Sequence, residues 1–110
     1  CFWKVLLKPD DQFVGIAGLL HQMIDNEIET EISYRILPEY WKNGYATEAA
    51  KACKEYAETN LGKNRLISLI HPKNNASNRV AQKLGAKKTK SVVFIGAKHD
   101  VYLYKHKKIA

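Results

Sequence analysis

The stretch LPEYWKNGYATEA, residues 37–49, joins a predicted strand to a predicted helix through a loop that contains Gly44. Residues 28–36 alternate between apolar and polar, which is typical of a strand with two different faces, and Pro38 ends that strand. The first amides of the following helix lack intrahelical partners and carry the positive end of its dipole. The absent Cβ of Gly44 and the small side chain of Ala46 leave those amides accessible. The stretch therefore predicts an anion site that a pyrophosphate fits, with a plain tight turn at Gly44 as the alternative.

The elements on either side of this stretch predict one small mixed domain. The predicted strands are Phe2–Lys8, Phe13–Leu20 (interrupted by Gly15 and Gly18), residues 28–36, Leu66–Ile70, Ser91–Phe94 and Val101–Tyr104. A helix is expected from Tyr45 to Leu61, because apolar residues at 46, 49, 50, 53, 57 and 61 fall on one stripe. Asn74 or Asn75 can cap a second helix that runs to Lys83-Leu84, with Gly85 as its left-handed C-terminal residue, and a Lys-rich turn follows it. The order predicts an α+β fold with a mixed, mostly antiparallel central sheet and helices on its faces, as a single domain over residues 1–110.

Charge and cysteine usage narrow the functional classes. The formal net charge is +7, and the basic residues are concentrated after residue 55. That half of the chain should attract an anion, such as nucleic acid, a membrane surface or a phosphorylated cofactor, unless the lysines serve solubility alone. Cys1 and Cys53 form no metal-binding pattern. The sequence shows no signal peptide or bilayer-spanning run, so we expect no membrane partner and a reduced, cytoplasmic setting.

A second polar stretch, HPKNNASNRVAQKLGA, covers residues 71–86. It places more polar residues at a helix start than one N-cap needs, which suggests ligand contacts.

Together the two stretches resemble motifs A and B of the GCN5-related N-acetyltransferase (GNAT) superfamily, specifically its RimJ/RimL-like branch. The first corresponds to P-E-x-[RQ]-x-x-G-x-[GA] at residues 38–46, with Trp41 in place of Arg or Gln. The second corresponds to N-x-x-S at residues 74–77 followed by Lys83-Leu84-Gly85. Members of this branch have a strand and two helices before the hairpin that starts here at Phe2. Since the chain starts with Cys1 and its one Met is Met23, we expect that front part to be absent from this sequence.

The resemblance implies acetyl-CoA as co-substrate and no metal. The pantetheine arm is expected along the backbone of Tyr34, Arg35 and Ile36, with a hydrogen bond from Asn74. Arg79 and Lys83 are candidates for the 3′-phosphate. The pyrophosphate is expected on the amides of Lys42, Asn43, Gly44, Tyr45, Ala46 and Thr47.

The resemblance also implies direct transfer to an amine in a ternary complex. Ser77 occupies the position of a proton donor to the leaving thiolate, with a plain helix-start role as the alternative. Glu31 is the candidate general base, unless it lies on a solvated face with Glu27 and Glu29. His71 is the second candidate base because the unperturbed pKa of histidine is about 6.5. Cys53 falls on the apolar stripe and is interpreted as core.

Three functional classes remain open from the sequence. The first is an N-acetyltransferase acting on a protein N-terminus, a polyamine or another small primary amine. The second is a basic nucleic-acid-binding module, disfavoured because the basic half lacks interleaved aromatic residues. The third is an acetyl-CoA-binding protein without turnover. The amine acceptor and a homodimer also stay open.

Overall fold

The computed structural model describes residues 1–104, which form six strands, two α-helices and a short 3₁₀ helix, Pro38–Tyr40. The strands are β1 (Phe2–Leu7), β2 (Gln12–Ile24), β3 (Glu27–Ile36), β4 (Ile67–Ile70), β5 (Lys87–Phe94) and β6 (Ala97–Leu103). The helices are α1 (Tyr45–Thr59) and α2 (Asn75–Lys83). The predicted order of elements is therefore confirmed. The last part of the predicted domain, residues 105–110, lies outside the described residues.

The six strands form one sheet in the order β1-β2-β3-β4-β6-β5. Neighbouring strands in this described sheet are antiparallel except β3 and β4, which are parallel and share the single pair Glu31 with Ile67. This is the mixed, mostly antiparallel sheet that the sequence predicts.

The sheet buries side chains on both faces. The buried residues of α1 and α2 pack in one cluster with strand residues such as Ile32 and Tyr102, so both described helices lie on the same face. A smaller cluster on the other face contains Ile24, Ile67 and Val101. Because Ile70 belongs to the first cluster and Ile67 to the second, β4 is buried on both faces, as expected for a central strand.

The two glycines of β2 do not interrupt the strand. A Cβ atom on Gly15 would collide with the carbonyl oxygen of Arg35, and one on Gly18 would collide with that of Cys1. These glycines therefore let β2 lie close to both neighbouring strands.

Four predicted boundaries are wrong. Strand β2 continues to Ile24 instead of ending at Leu20, and β6 begins at Ala97 instead of Val101, because both strands extend into hairpin pairing with their neighbours. Helix α1 ends at Thr59, and Leu61, expected on its buried stripe, is 46% exposed because the chain turns through Gly62 at φ 63°. The predicted Lys-rich turn is the start of β5, where Lys87 pairs with Leu103 and Lys88 with Tyr102. Since β5 is an edge strand, exposed lysines are compatible with it and discourage pairing with other chains.

No helix within residues 1–104 is both long and apolar enough to cross a membrane.

Candidate active site

The parallel strands β3 and β4 diverge beyond the pair Glu31–Ile67. We call the gap between residues 33–36 of β3 and residues 69–70 of β4 the β3–β4 opening. The sequence-predicted backbone of Tyr34, Arg35 and Ile36 lies along this gap. The Ile36 carbonyl already accepts a hydrogen bond from the Trp41 indole N–H at 2.7 Å. The main-chain groups of Tyr34 are therefore better placed to bind a ligand than the Ile36 carbonyl.

The loop between β3 and α1 presents unpaired amides. Lys42 and Gly44 both have positive φ angles, 67° and 78°, and the first helical hydrogen bond runs from the Glu48 N–H to the Gly44 carbonyl at 3.0 Å. The helix has no side-chain cap, so the N–H groups of its first three residues point beyond its end. They belong to Tyr45, Ala46 and Thr47, three of the residues expected from the sequence to hold an anion.

Asn43 stabilises this loop from within. Its Nδ2 group donates to the Tyr40 carbonyl at 3.0 Å and to the Trp41 carbonyl at 3.2 Å. The side chains of Asn43 and Lys42 are exposed to solvent and do not form a buried surface of the site.

Helix α2 begins with the predicted N-cap. The Asn74 Oδ1 atom accepts a hydrogen bond from the Ser77 N–H at 3.1 Å. The Nδ2 group of Asn74 takes no part in this cap and is the half of the side chain suited to donate to a ligand.

The structure brings Ser77 together with Tyr34, a contact that the sequence does not predict. The Tyr34 hydroxyl donates to Ser77 Oγ at 3.1 Å. Burial raises the pKa of Tyr34 above its ordinary value of 10.0, so the phenol stays protonated and remains a donor at neutral pH. The hydroxyl proton of Ser77 can therefore point to a third group.

Glu31 is buried, which excludes the solvated-face alternative for it. Its side chain points to the face opposite Ile32 and Tyr34, is 7% exposed, and accepts hydrogen bonds from the Leu69 N–H at 3.1 Å and from Gln22 Nε2 at 3.0 Å. Burial raises the pKa of Glu31 above 4.5 despite these two donors. Glu29 is also buried and forms an ion pair with Arg65 at 2.9 Å.

Four other predicted residues have simple environments. His71 Nδ1 accepts from the Lys73 N–H at 3.1 Å, so neutral His71 carries its proton on Nε2 and has no second acceptor nitrogen. Cys53 is 3% exposed in the core, as predicted, and burial raises the pKa of its thiol. Arg79 and Lys83 are exposed on α2. Among residues 1–104, no group of three or more potential metal ligands lies together.

A cavity of about 700 Å³ lies between β1 and α1 and reaches Tyr45 at the start of α1. Its lining includes Trp3, Val5 and Tyr56, but not Glu31, Asn74 or Ser77. We assign the chemistry to the β3–β4 opening instead, because Tyr34 and Ser77 are in contact there and Glu31 bonds the Leu69 N–H where the opening begins.

An extended gap in a sheet beside a free helix N-terminus is a site for a ligand with an anionic part and a long arm. A site of this kind is what the acetyltransferase motifs of the sequence imply. Residues 1–87 match the family model described as an acetyltransferase (GNAT) domain. The chain therefore belongs to the GNAT acetyltransferase domain family.

Individual relatives agree with this assignment. The chain is 38% identical over 90 residues to an uncharacterized protein, YkkB, of Bacillus subtilis, covering 82% of this chain and 52% of that protein. It is 31% identical over 86 residues to an uncharacterized N-acetyltransferase, YoaA, of the same organism, covering 78% and 48%. An acetyltransferase crystal structure from Agrobacterium tumefaciens superposes with a TM-score of 0.82 at 25% identity, covering 96% of this chain and 60% of that one. The chain thus spans about half the length of the curated relatives it matches.

The site residues fit acetyl-CoA, the co-substrate of this family. The first amides of α1 are unpaired donors for a pyrophosphate, and a Cβ atom on Gly44 would meet no protein atom within 4 Å, so the space beside Gly44 is open. The β3–β4 opening offers strand backbone to an extended amide-containing arm.

Proposed function

We propose that this domain transfers the acetyl group of acetyl-CoA directly to a primary amine in a ternary complex, and that it belongs to the RimJ/RimL-like branch. The observation that carries the proposal is the Tyr34–Ser77 hydrogen bond at the β3–β4 opening, close to the capped start of α2. A protein N-terminus, a polyamine or another small amine is the expected acceptor.

Binding is assigned to main-chain donors and a few side chains. The amides of residues 42–47 hold the pyrophosphate, and the backbone of Tyr34 pairs with the pantetheine arm, since the main chain of Arg35 faces Ile16 of β2. Asn74 donates its Nδ2 group to the same arm. Arg79 and Lys83 attract the 3′-phosphate, a contribution that salt screens because both side chains are exposed.

Ser77 supplies the proton that the departing thiolate needs. Because Ser77 Oγ accepts from Tyr34, its own proton is directed away from Tyr34. Transfer of that proton to the sulfur forms the thiol, the Tyr34 hydroxyl stays protonated and stabilises the Ser77 oxygen through its hydrogen bond, and solvent returns a proton to Ser77. A positioned donor of this kind contributes about 10²-fold or more to the rate.

Glu31 is the proposed general base for the acceptor amine. Each of its oxygens has one donor in the structure and keeps a second lone pair. A raised pKa also makes its carboxylate a stronger base than an exposed one. His71 is less suited because its accepting nitrogen already bonds Lys73, and a water molecule is the remaining alternative.

Release of the CoA thiol in the presence of a panel of amines tests the proposal. We expect thiol release and an acetylated product with at least one primary amine. Binding of acetyl-CoA without any thiol release would identify a binding protein instead. Retention on nucleic acid that falls steeply with salt, with indifference to acetyl-CoA, would favour the nucleic-acid module.

The proposal places the domain in the cytoplasm. Both cysteines are free thiols, Cys1 exposed and Cys53 buried, which is compatible with a reducing compartment.

A further inference from the structure

The β3–β4 opening begins where two main-chain groups that should bond each other take side-chain partners instead. In a parallel ladder that continued past the pair Glu31–Ile67, the Leu69 N–H would donate to the Ile32 carbonyl. In the structure the Leu69 N–H donates to Glu31 Oε2 at 3.1 Å. The Ile32 carbonyl accepts from Ser68 Oγ at 2.9 Å. One side chain from each strand therefore caps the ladder.

Each capping side chain is buried and makes a hydrogen bond to a further side chain. Glu31 is 7% exposed and Ser68 is 4% exposed. Gln22 donates to the second oxygen of Glu31 at 3.0 Å, and the Tyr104 hydroxyl lies 2.8 Å from Ser68 Oγ. The two caps thus belong to a satisfied buried network, and such networks favour one defined arrangement.

The caps remove the main cost of separating the strands. A buried N–H or carbonyl group without a partner is strongly unfavourable, so two strands separated without caps would tend to pair. Because Leu69 and Ile32 are satisfied, the strands stay apart before any ligand arrives.

We propose that Glu31 and Ser68 are positioning residues that hold the β3–β4 opening preformed for the pantetheine arm of acetyl-CoA. The inference rests on the proposed function, and it gives Glu31 a task in addition to its proposed role as base. A preformed gap strengthens binding because the ligand does not have to break a strand pair first.

Substitution of Ser68 tests the effect on binding. In Ser68→Ala the Ile32 carbonyl loses its cap, which favours direct pairing with Leu69, so we expect acetyl-CoA affinity measured by calorimetry to fall about tenfold. Thr89→Ala is the control for loss of a hydroxyl–carbonyl bond away from the opening, since Thr89 Oγ1, on an exposed residue, donates to the Val101 carbonyl at 3.2 Å between β5 and β6. Equal affinities for wild type and Ser68→Ala would overturn the proposal.

Two Glu31 variants separate positioning from proton transfer. Glu31→Gln keeps an oxygen that accepts from Leu69, so it should bind acetyl-CoA as wild type does while its turnover number falls. Glu31→Leu cannot accept and should lose both affinity and turnover. Equal acetyl-CoA affinity in the two variants would contradict a positioning role.

Nuclear magnetic resonance of the wild-type protein without ligand tests the opening independently. A scalar coupling across the hydrogen bond should join the Leu69 amide nitrogen to the Glu31 carboxyl carbon. A coupling to the Ile32 carbonyl carbon would show a closed ladder and overturn the inference, whatever the variants do. If the Glu31 coupling is present and wild type does not bind acetyl-CoA, the proposed function fails while the capped opening stands.

Discussion

Ser77 and Tyr34 act as one unit in the proposed proton transfer. Ser77→Ala should lower the turnover number about 100-fold, because it removes the donor to the thiolate. Tyr34→Phe keeps the ring and removes the hydroxyl behind Ser77, so a smaller fall of about tenfold is expected. Thiol-release kinetics measure both.

The double variant checks whether the two hydroxyls share one pathway. If Tyr34 acts through Ser77, the double variant should be no slower than Ser77→Ala alone, with the KM for acetyl-CoA unchanged. Independent, multiplying losses would show that Tyr34 does not act through Ser77.

The raised pKa of Glu31 makes stability depend on pH. Above pH 4.5 an unfolded Glu31 loses its proton while the folded one still holds it, so the folded state binds more protons. The free energy of unfolding should therefore fall as pH rises from 4.5 through the folded pKa. The Glu31→Gln variant has no titratable side chain at position 31, so its free energy of unfolding should lack this contribution to the decline.

Urea unfolding of wild type and Glu31→Gln, carried out on both sides of pH 4.5, measures the difference. A wild-type stability that rises relative to Glu31→Gln over this range would mean that burial does not dominate the pKa of Glu31.

At the scale of elements, Asn74 joins helix formation to ligand binding. Asn74→Ala removes the cap on Ser77 and should cost about 1 kcal/mol of stability as well as acetyl-CoA affinity. Asn74→Asp keeps an accepting oxygen but has no Nδ2 donor, so it should keep the stability and lose affinity. Thermal unfolding and calorimetry together separate the two effects. Full affinity in Asn74→Asp would remove Asn74 from the ligand contacts.

The elements that the sequence predicts best are those with a local signal. The stripe at Ala49, Ala50, Cys53 and Ala57 defines α1, and the cap at Asn74 starts α2 where expected. The start of β5 has no such signal, because an exposed edge strand needs no apolar period and pairing with β6 alone fixes it. The predicted end of α1 is wrong because Leu61 fits the helical period although the chain already turns through Gly62.

At the scale of the whole molecule, the motifs predict where the site lies but not which side chains meet. Tyr34 and Ser77 are 43 positions apart in the chain, and Ser68 and Tyr104 are 36 apart. Such contacts depend on the packing of α2 and β6 against the sheet, which no local pattern contains. The alternation in β3 does place Tyr34 on the face of Ile32, which is a usable hint that it points towards the helices.

The basic half of the chain predicts a modest electrostatic contribution to binding. Replacing Arg79 and Lys83 together by Ala should weaken acetyl-CoA binding a few-fold at low salt, because exposed charge pairs contribute up to about 1 kcal/mol. The same change should not affect binding of acetyl-CoA that lacks the 3′-phosphate. Lys63→Ala, exposed between α1 and β4, is the control. An equal loss with both ligands would place the 3′-phosphate elsewhere.

Acetyl-CoA binding at the start of α1 is the central claim, and a matched pair of glycine variants tests it most directly. Gly44 and Gly62 both have left-handed φ angles, 78° and 63°, and a Cβ on either would meet no protein atom within 4 Å. Gly44→Glu and Gly62→Glu should therefore lose similar stability, about 1 kcal/mol each. Only Gly44→Glu places a negative side chain where the pyrophosphate is expected.

Thermal unfolding with and without acetyl-CoA is the measurement. Binding to the folded state raises its stability by about 2.7 kcal/mol at a concentration 100 times the Kd. We expect this stabilisation in wild type and Gly62→Glu and its loss in Gly44→Glu. Equal stabilisation of the two variants, or none in wild type, would contradict the account.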